Sequence, residues 1–178
     1  MVQEIVAFLD SACCRKVAKI FHAAELSTKV PVPLHIAVEY GLLHITEVLL
    51  DQGDGPCQCM TPLLVTAIKR QNLEIIKLLL HQDNIDPNTQ SSWQQWTPLF
   101  YAAEEGSTQV VEILLQSDHV NVNVNCKDFR GRTPLMTVVI SGDISMAEVL
   151  LKHAQVDKLA RDNEDNTAYS HAYWQFHQ

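Results

Sequence analysis

Thr97-Pro98-Leu99-Phe100-Tyr101-Ala102-Ala103-Glu104-Glu105-Gly106 is the stretch on which the reading of this chain turns. Its threonine stands as a helix N-cap. Its proline stands first in the helix, where a fixed φ helps and a missing N–H costs nothing. The glycine then stops the helix in left-handed backbone. Thirty-six residues on, Thr133-Pro134-Leu135 begins the same arrangement and Gly142 ends it, and Gly41 stops an earlier helix. Working outwards, two rulers keep time. The double leucines Leu49-Leu50, Leu79-Leu80, Leu114-Leu115 and Leu150-Leu151 are 30, 35 and 36 residues apart. The small residues Ala37, Ala67, Ala102 and Val138 are also 30, 35 and 36 apart, and Ala172 follows after 34. Two features that stay in step through unequal intervals mark a structural repeat.

Each unit reads as a helix pair. The second helix carries apolar residues at helical spacing, at Ile75, Ile76, Leu79 and Leu80, and again at Val110, Val111, Leu114 and Leu115. Such a pair is apolar on both flanks and buries them only against the pairs before and after it, which makes a solenoid.

Val32-Pro33-Leu34-His35-Ile36-Ala37, Thr61-Pro62-Leu63, Thr97 to Gly106, and Asp128-Phe129-Arg130-Gly131-Arg132-Thr133-Pro134-Leu135 resemble the ankyrin repeat, over roughly residues 30 to 178. The resemblance implies an all-α repeat fold, an ankyrin-repeat solenoid of helix-turn-helix units with short β-hairpin or loop fingers. It divides the chain into an N-terminal capping helix pair or degenerate first repeat at 1–29, four repeats at 30–166, and a truncated C-terminal capping repeat at 167–178. Ile5, Val6, Leu9, Val17, Ile20, Phe21 and Ala24 give the first segment two helices without the turn motif. A membrane-active role for that amphipathic stretch is weakened by its lack of basic character.

The departures from the pattern set expectations of their own. Val32 replaces the capping threonine, and only the first unit carries the family's histidine, His35. The second unit has one extra residue between Pro62 and Ala67, and Gln71 where the family has glycine, so a local bulge and weaker packing are expected. The long segment from His81 to Trp96 predicts an extended finger. The last unit stops after one helix, either as a cap or because the chain was cut from something longer. Met1 directly before a helical cap favours a genuine N-terminus.

Thirteen Lys and Arg against 21 Asp and Glu give a net charge of -8. No third of the chain is basic, which argues against nucleic acid and anionic membrane surfaces as partners. Apolar runs are broken by charge well short of the ~20 residues a membrane span needs. Glu4 and Asp10 stand where a secretory signal has its basic region. Five cysteines, two of them adjacent at Cys13 and Cys14, suit a reducing compartment, the cytoplasm or nucleus.

Signs of chemistry are few. There is no Gly-rich phosphate loop, Gly-x-Ser-x-Gly or His-Glu-x-x-His, and no two histidines lie at i, i+4. Cys57 and Cys59 are the one close cysteine pair with a spacer; a metal there needs two further ligands, so they read as reduced loop thiols, with a metal or redox sensor as the alternative. Glu104 and Glu105 read as a solvated or partner-facing pair rather than an acid–base pair. No catalytic residue, metal or cofactor is expected.

The resemblance places a partner on the fingers and on the concave face of the first helices. That surface comprises Trp93, Trp96, Phe129, Arg130 and Arg132 from fingers. From helices it takes Glu39-Tyr40, Lys69, Arg70, Glu104, Glu105, Ile140 and Trp174. The polar run Thr89-Gln90-Ser91-Ser92 offers no core for both tryptophans, although one ring can fold back over its own unit. Exposed Trp, Tyr and Arg dominate binding energy where they occur.

The expected function is a non-enzymatic protein-protein interaction module, monomeric alone, serving as adaptor, scaffold or inhibitor. The alternative is the targeting domain of a larger enzyme, channel or secreted bacterial or viral effector. The resemblance also marks Asn123 for asparagine hydroxylation, since Val122 precedes it and Leu115 lies eight residues upstream. The other reading is an asparagine that bonds its own backbone.

Overall fold

The computed structural model describes residues 33–51, 60–83, 85–117 and 121–177. The expected capping helices of 3–26, Val32, Cys13, Cys14, Cys57 and Cys59 lie outside them. The described residues form nine α-helices and no strand: α1 (Pro33–Glu39), α2 (Leu43–Asp51), α3 (Met60–Lys69), α4 (Leu73–Leu80), α5 (Pro98–Glu104), α6 (Thr108–Gln116), α7 (Pro134–Ser141), α8 (Ile144–Lys152) and α9 (Ala168–Phe176). The chain divides into two compact units, 1–56 and 57–178.

In the first unit α1 and α2 pack as one antiparallel pair around the tight turn at Gly41, whose φ is 72°. Leu34, Ala37 and Val38 of α1 are buried, and the Thr46 hydroxyl donates to the Leu42 carbonyl at 3.0 Å.

In the second unit α3, α5, α7 and α9 stack side by side as an inner layer, and α4, α6 and α8 stack behind them as an outer layer. The core is the line between the layers. Inner helices supply Leu63, Leu64, Ala67 and Ile68, then Leu99, Phe100 and Ala102, then Leu135, Met136 and Val138. Outer helices supply Ile75, Ile76, Leu79 and Leu80, then Val110, Val111 and Leu114, then Met146 and Leu150. The small-residue ruler is thus fully buried at Ala67, Ala102 and Val138, and half-buried at Ala172 in α9. In the leucine ruler the first leucine is always core in this unit. The second is buried at Leu80, half-buried at Leu115 and 41% exposed at Leu151, after which no further outer helix follows among the described residues.

Helix ends follow their caps. Asn72 and Asp143 accept from the backbone N–H three residues on, at 3.2 and 3.0 Å. Thr133 and Thr167 form capping boxes with Met136 and Ser170. Thr97 occupies the same place without that bond, because its hydroxyl lies 3.1 Å from the Cys126 thiol. The expected bulge in α3 is absent. The helix begins at Met60, two residues ahead of the motif's proline, where α5 and α7 begin, and runs unbroken with Leu63, Leu64, Ala67 and Ile68 fully buried. The extra residue lengthens the helix instead of deforming it. Gln71 does take the glycine's left-handed conformation, at φ 54°.

Candidate functional site

Three fingers precede inner helices in the second unit: finger one at 85–97, finger two at 121–133 and finger three at 153–167. They take the loop form of the expected alternatives and carry no β ladder among the described residues. Each is built around a side-chain acceptor. In finger two, Asp128 accepts from the backbone N–H groups of Arg130 and Arg132 at 2.9 and 2.8 Å, and from Nε and Nη2 of Arg132 at 3.1 and 2.9 Å. Its side chain is wholly buried. In finger three, Asp162 accepts from the N–H groups of Glu164 and Asn166, both at 2.9 Å, and meets Nε2 of His171 at 2.8 Å. In finger one, Ser91 takes the part and accepts from the Trp96 N–H at 3.1 Å.

The tip then reverses through a left-handed residue, at Gln95, Gly131 and Asp165. At Gly131 there is also no room, since a Cβ would press on Asn163, 2.9 Å from its backbone nitrogen. Burial alone pushes the Asp162 carboxyl up, but the Asn166 and Glu164 N–H groups and the His171 ring outweigh it and hold the carboxyl below its ordinary 3.8.

Neighbouring fingers are stapled together. Phe129 donates its N–H to the Gln94 carbonyl at 3.2 Å, and Asn163 donates to the Arg130 carbonyl at 3.0 Å. Gln90 donates to the Lys127 carbonyl and Lys127 to the Arg161 carbonyl, both at 2.9 Å. Asn88 spans Asn121 and Asn123, just as Asn125 spans Gln155 and Asp157. Asn123 is exposed, and its side-chain oxygen accepts from the Asn125 N–H at 3.0 Å. Asp86 and Asp157 make the same local bond. Asn123 therefore serves as the asparagine version of a turn acceptor that carboxylates supply elsewhere.

The structure parts the two tryptophans. Trp93 is 89% exposed at the tip of finger one. Trp96 is half-buried, stacked parallel to Phe100 at 6.2 Å and edge-on to Tyr101 at 5.3 Å. Lys69 extends its ammonium over Tyr101, 4.8 Å from the ring centre, so α3, α5 and finger one meet in one aromatic-cationic patch. Arg70, Glu104 and Glu105 are exposed at the ends of α3 and α5. Tyr40, 74% exposed, belongs to the first unit.

Phe129, Arg130, Arg132, Ile140 and Trp174 come together around one open groove of about 670 Å3 between fingers two and three. Within it Arg132 departs from its expected role, because its guanidinium is committed to Asp128 and braces the finger. Sequence reasoning missed Tyr101, Asp128 and the Asp162–His171 pair. A signal for two of them existed: an aspartate lies five residues before both Thr133 and Thr167.

Among the described residues no group of three or more His, Cys, Asp or Glu side chains is placed to hold a metal ion, and no helix is long and apolar enough to cross a membrane. Comparison with known proteins gives a consistent answer. A family model described as ankyrin repeats, in three copies, matches residues 11–91, 34–128 and 84–162. A putative ankyrin repeat protein of Rickettsia bellii (strain RML369-C) is 31% identical over 104 residues, 58% of this chain and 40% of that protein. Rabankyrin-5 of Mus musculus is 27% identical over 129 residues, 66% of this chain and 11% of that protein. A palmitoyltransferase of Danio rerio is 33% identical over 76 residues, 43% of this chain and 12% of that protein. The chain thus spans well under half the length of these relatives.

Proposed function

The chain belongs to the ankyrin-repeat family, and on that premise we propose that it is a non-enzymatic module that binds a partner protein through its fingers and the adjoining inner helices. Ankyrin repeats mediate protein-protein interaction, and that coarser statement holds for the family. The observation that carries the finer reading is Trp93. It stands 89% exposed on a finger that hydrogen bonds hold in place, beside the Lys69–Tyr101–Trp96 patch. A large exposed ring on a braced finger is the kind of anchor that dominates binding energy once a partner covers it. The acidity of the chain favours a protein over a nucleic acid as that partner. We place the module in the cytoplasm or nucleus, monomeric alone, acting by scaffolding or occlusion.

The test is capture from a lysate by wild type beside Trp93→Ala. Retention of a specific protein by the wild type, lost in the variant at unchanged melting temperature, supports the reading. Equal capture by both sinks it. A second reading, that this is the targeting region of a larger protein, is favoured by the small share of each relative that the chain spans, including a palmitoyltransferase. The length of the natural translation product decides between them.

A further inference from the structure

We propose that the groove between fingers two and three binds an extended segment of a partner protein in which an apolar side chain lies between an acidic and a basic one. This rests on the module reading above and specifies its ligand. A volume of about 670 Å3 is the size of a ligand site and takes several side chains.

The ligand class follows from accounting for the charges in the walls. Arg132 is neutralised by Asp128, and the Asp162 carboxylate, its side chain only 4% exposed, is taken up by the Glu164 and Asn166 N–H groups and the His171 ring, so these groups are spent on holding the fingers. Two charged groups remain, Arg130 on finger two and Glu164 on finger three. Both are exposed, and neither has an ion-pair partner among the described residues. They have opposite signs and line the same groove, so the complementary segment carries one acidic and one basic group. The apolar surface on offer is Trp174, 62% exposed, with Ile140 and Phe129. That surface suits one aliphatic or aromatic anchor.

The frame is also set before any ligand arrives. The guanidinium of Arg130 lies 5.3 Å from the centre of the Phe129 ring, and the backbones of the two fingers are bonded to each other through Asn163. Little ordering is left to pay at binding. Phe129 is bonded in turn to finger one, so the groove continues the surface that carries Trp93.

A phage-displayed library of random peptides selected against the full chain tests this. Enriched peptides should share an apolar residue flanked by opposite charges, and Arg130→Glu, Glu164→Lys and Trp174→Ala should each weaken them about tenfold or more. Selection on Arg130→Glu should return peptides with a basic residue in place of the acidic one. Arg130 and Glu164 are exposed, so those two variants keep the test valid if Trp174→Ala fails to fold. Peptides that ignore all three changes but are lost in Trp93→Ala overturn the groove and leave the module reading standing. A selection that enriches nothing also overturns the groove, and the lysate experiment then judges the module by itself.

Discussion

Single residues carry two separable jobs on this surface, and Trp93 and Trp96 divide them. Trp96 covers Phe100 and Tyr101, so Trp96→Ala removes packed aromatic area and should lower stability by about 1 to 3 kcal/mol in urea unfolding. Trp93→Ala touches almost nothing and should stay within about 0.5 kcal/mol of wild type. The indole N–H of Trp96 is buried without an acceptor, so Trp96→Phe should cost far less than the alanine. The sequence showed two tryptophans in a polar segment with no core nearby. It did not show which ring turned inward, because that depends on Phe100 and Tyr101 coming beneath it once Thr97 starts the helix. Cys126 behaves as buried material, its thiol pushed up to about 11 by burial, which outweighs its hydrogen bond with Thr97. A raised folded value means its contribution to stability is whole below the ordinary 9.0 and fades as pH climbs towards 11. Thiol labelling followed by peptide mapping should therefore find Cys126 protected in native protein at neutral pH and modified only on unfolding.

At the scale of the element, helices were legible and fingers were not. Caps, proline at the first helical position, glycine stops and apolar spacing located the helices because each is a local rule with one geometric meaning. Fingers two and three are each specified by an acceptor whose donors lie two and four residues on, and an aspartate at that offset reads only as a generic turn residue. Asp128→Ala should show what it does. The change leaves Arg132 and two backbone N–H groups without their acceptor in a buried place, and should cost about 3 kcal/mol. The expectation of weak packing in α3 failed for a related reason. An added residue at a helix start can be absorbed by starting earlier, and the buried face survives. What strain there is lies at Gln71, held at φ 54°. Gln71→Gly should stabilise by about 0.5 kcal/mol, the left-handed cost removed less the added freedom of the unfolded chain. Gly142→Ala, at φ 77°, should destabilise by about 1 kcal/mol, both changes read by urea unfolding.

For the whole molecule, the repeat was readable because two rulers run in step along the chain. The line of exposed groups across the fingers was not, because it arises only when distant repeats are stacked. Stacking also predicts how this molecule comes apart. Each repeat of the second unit is held by its neighbours, so stability varies along the array, and α9, which packs on α7 with no outer helix behind it among the described residues, is the least buttressed of the described inner helices at that end. Acid should exploit that end. Asp162 ties finger three to α9 through His171, and its carboxyl is held below the ordinary value. A depressed folded value contributes stability that is complete above 3.8 and is lost as pH falls through the lower value in the native state. Hydrogen exchange, corrected for its intrinsic pH dependence, should then show 162–176 losing protection first as pH is lowered past 3.8, while 63–80 keeps it. Asp162→Asn should bring that fraying to neutral pH and leave the acid response of the rest of the array unchanged. Uniform loss of protection along the second unit would mean that it unfolds as one cooperative body, with α9 held as firmly as α5.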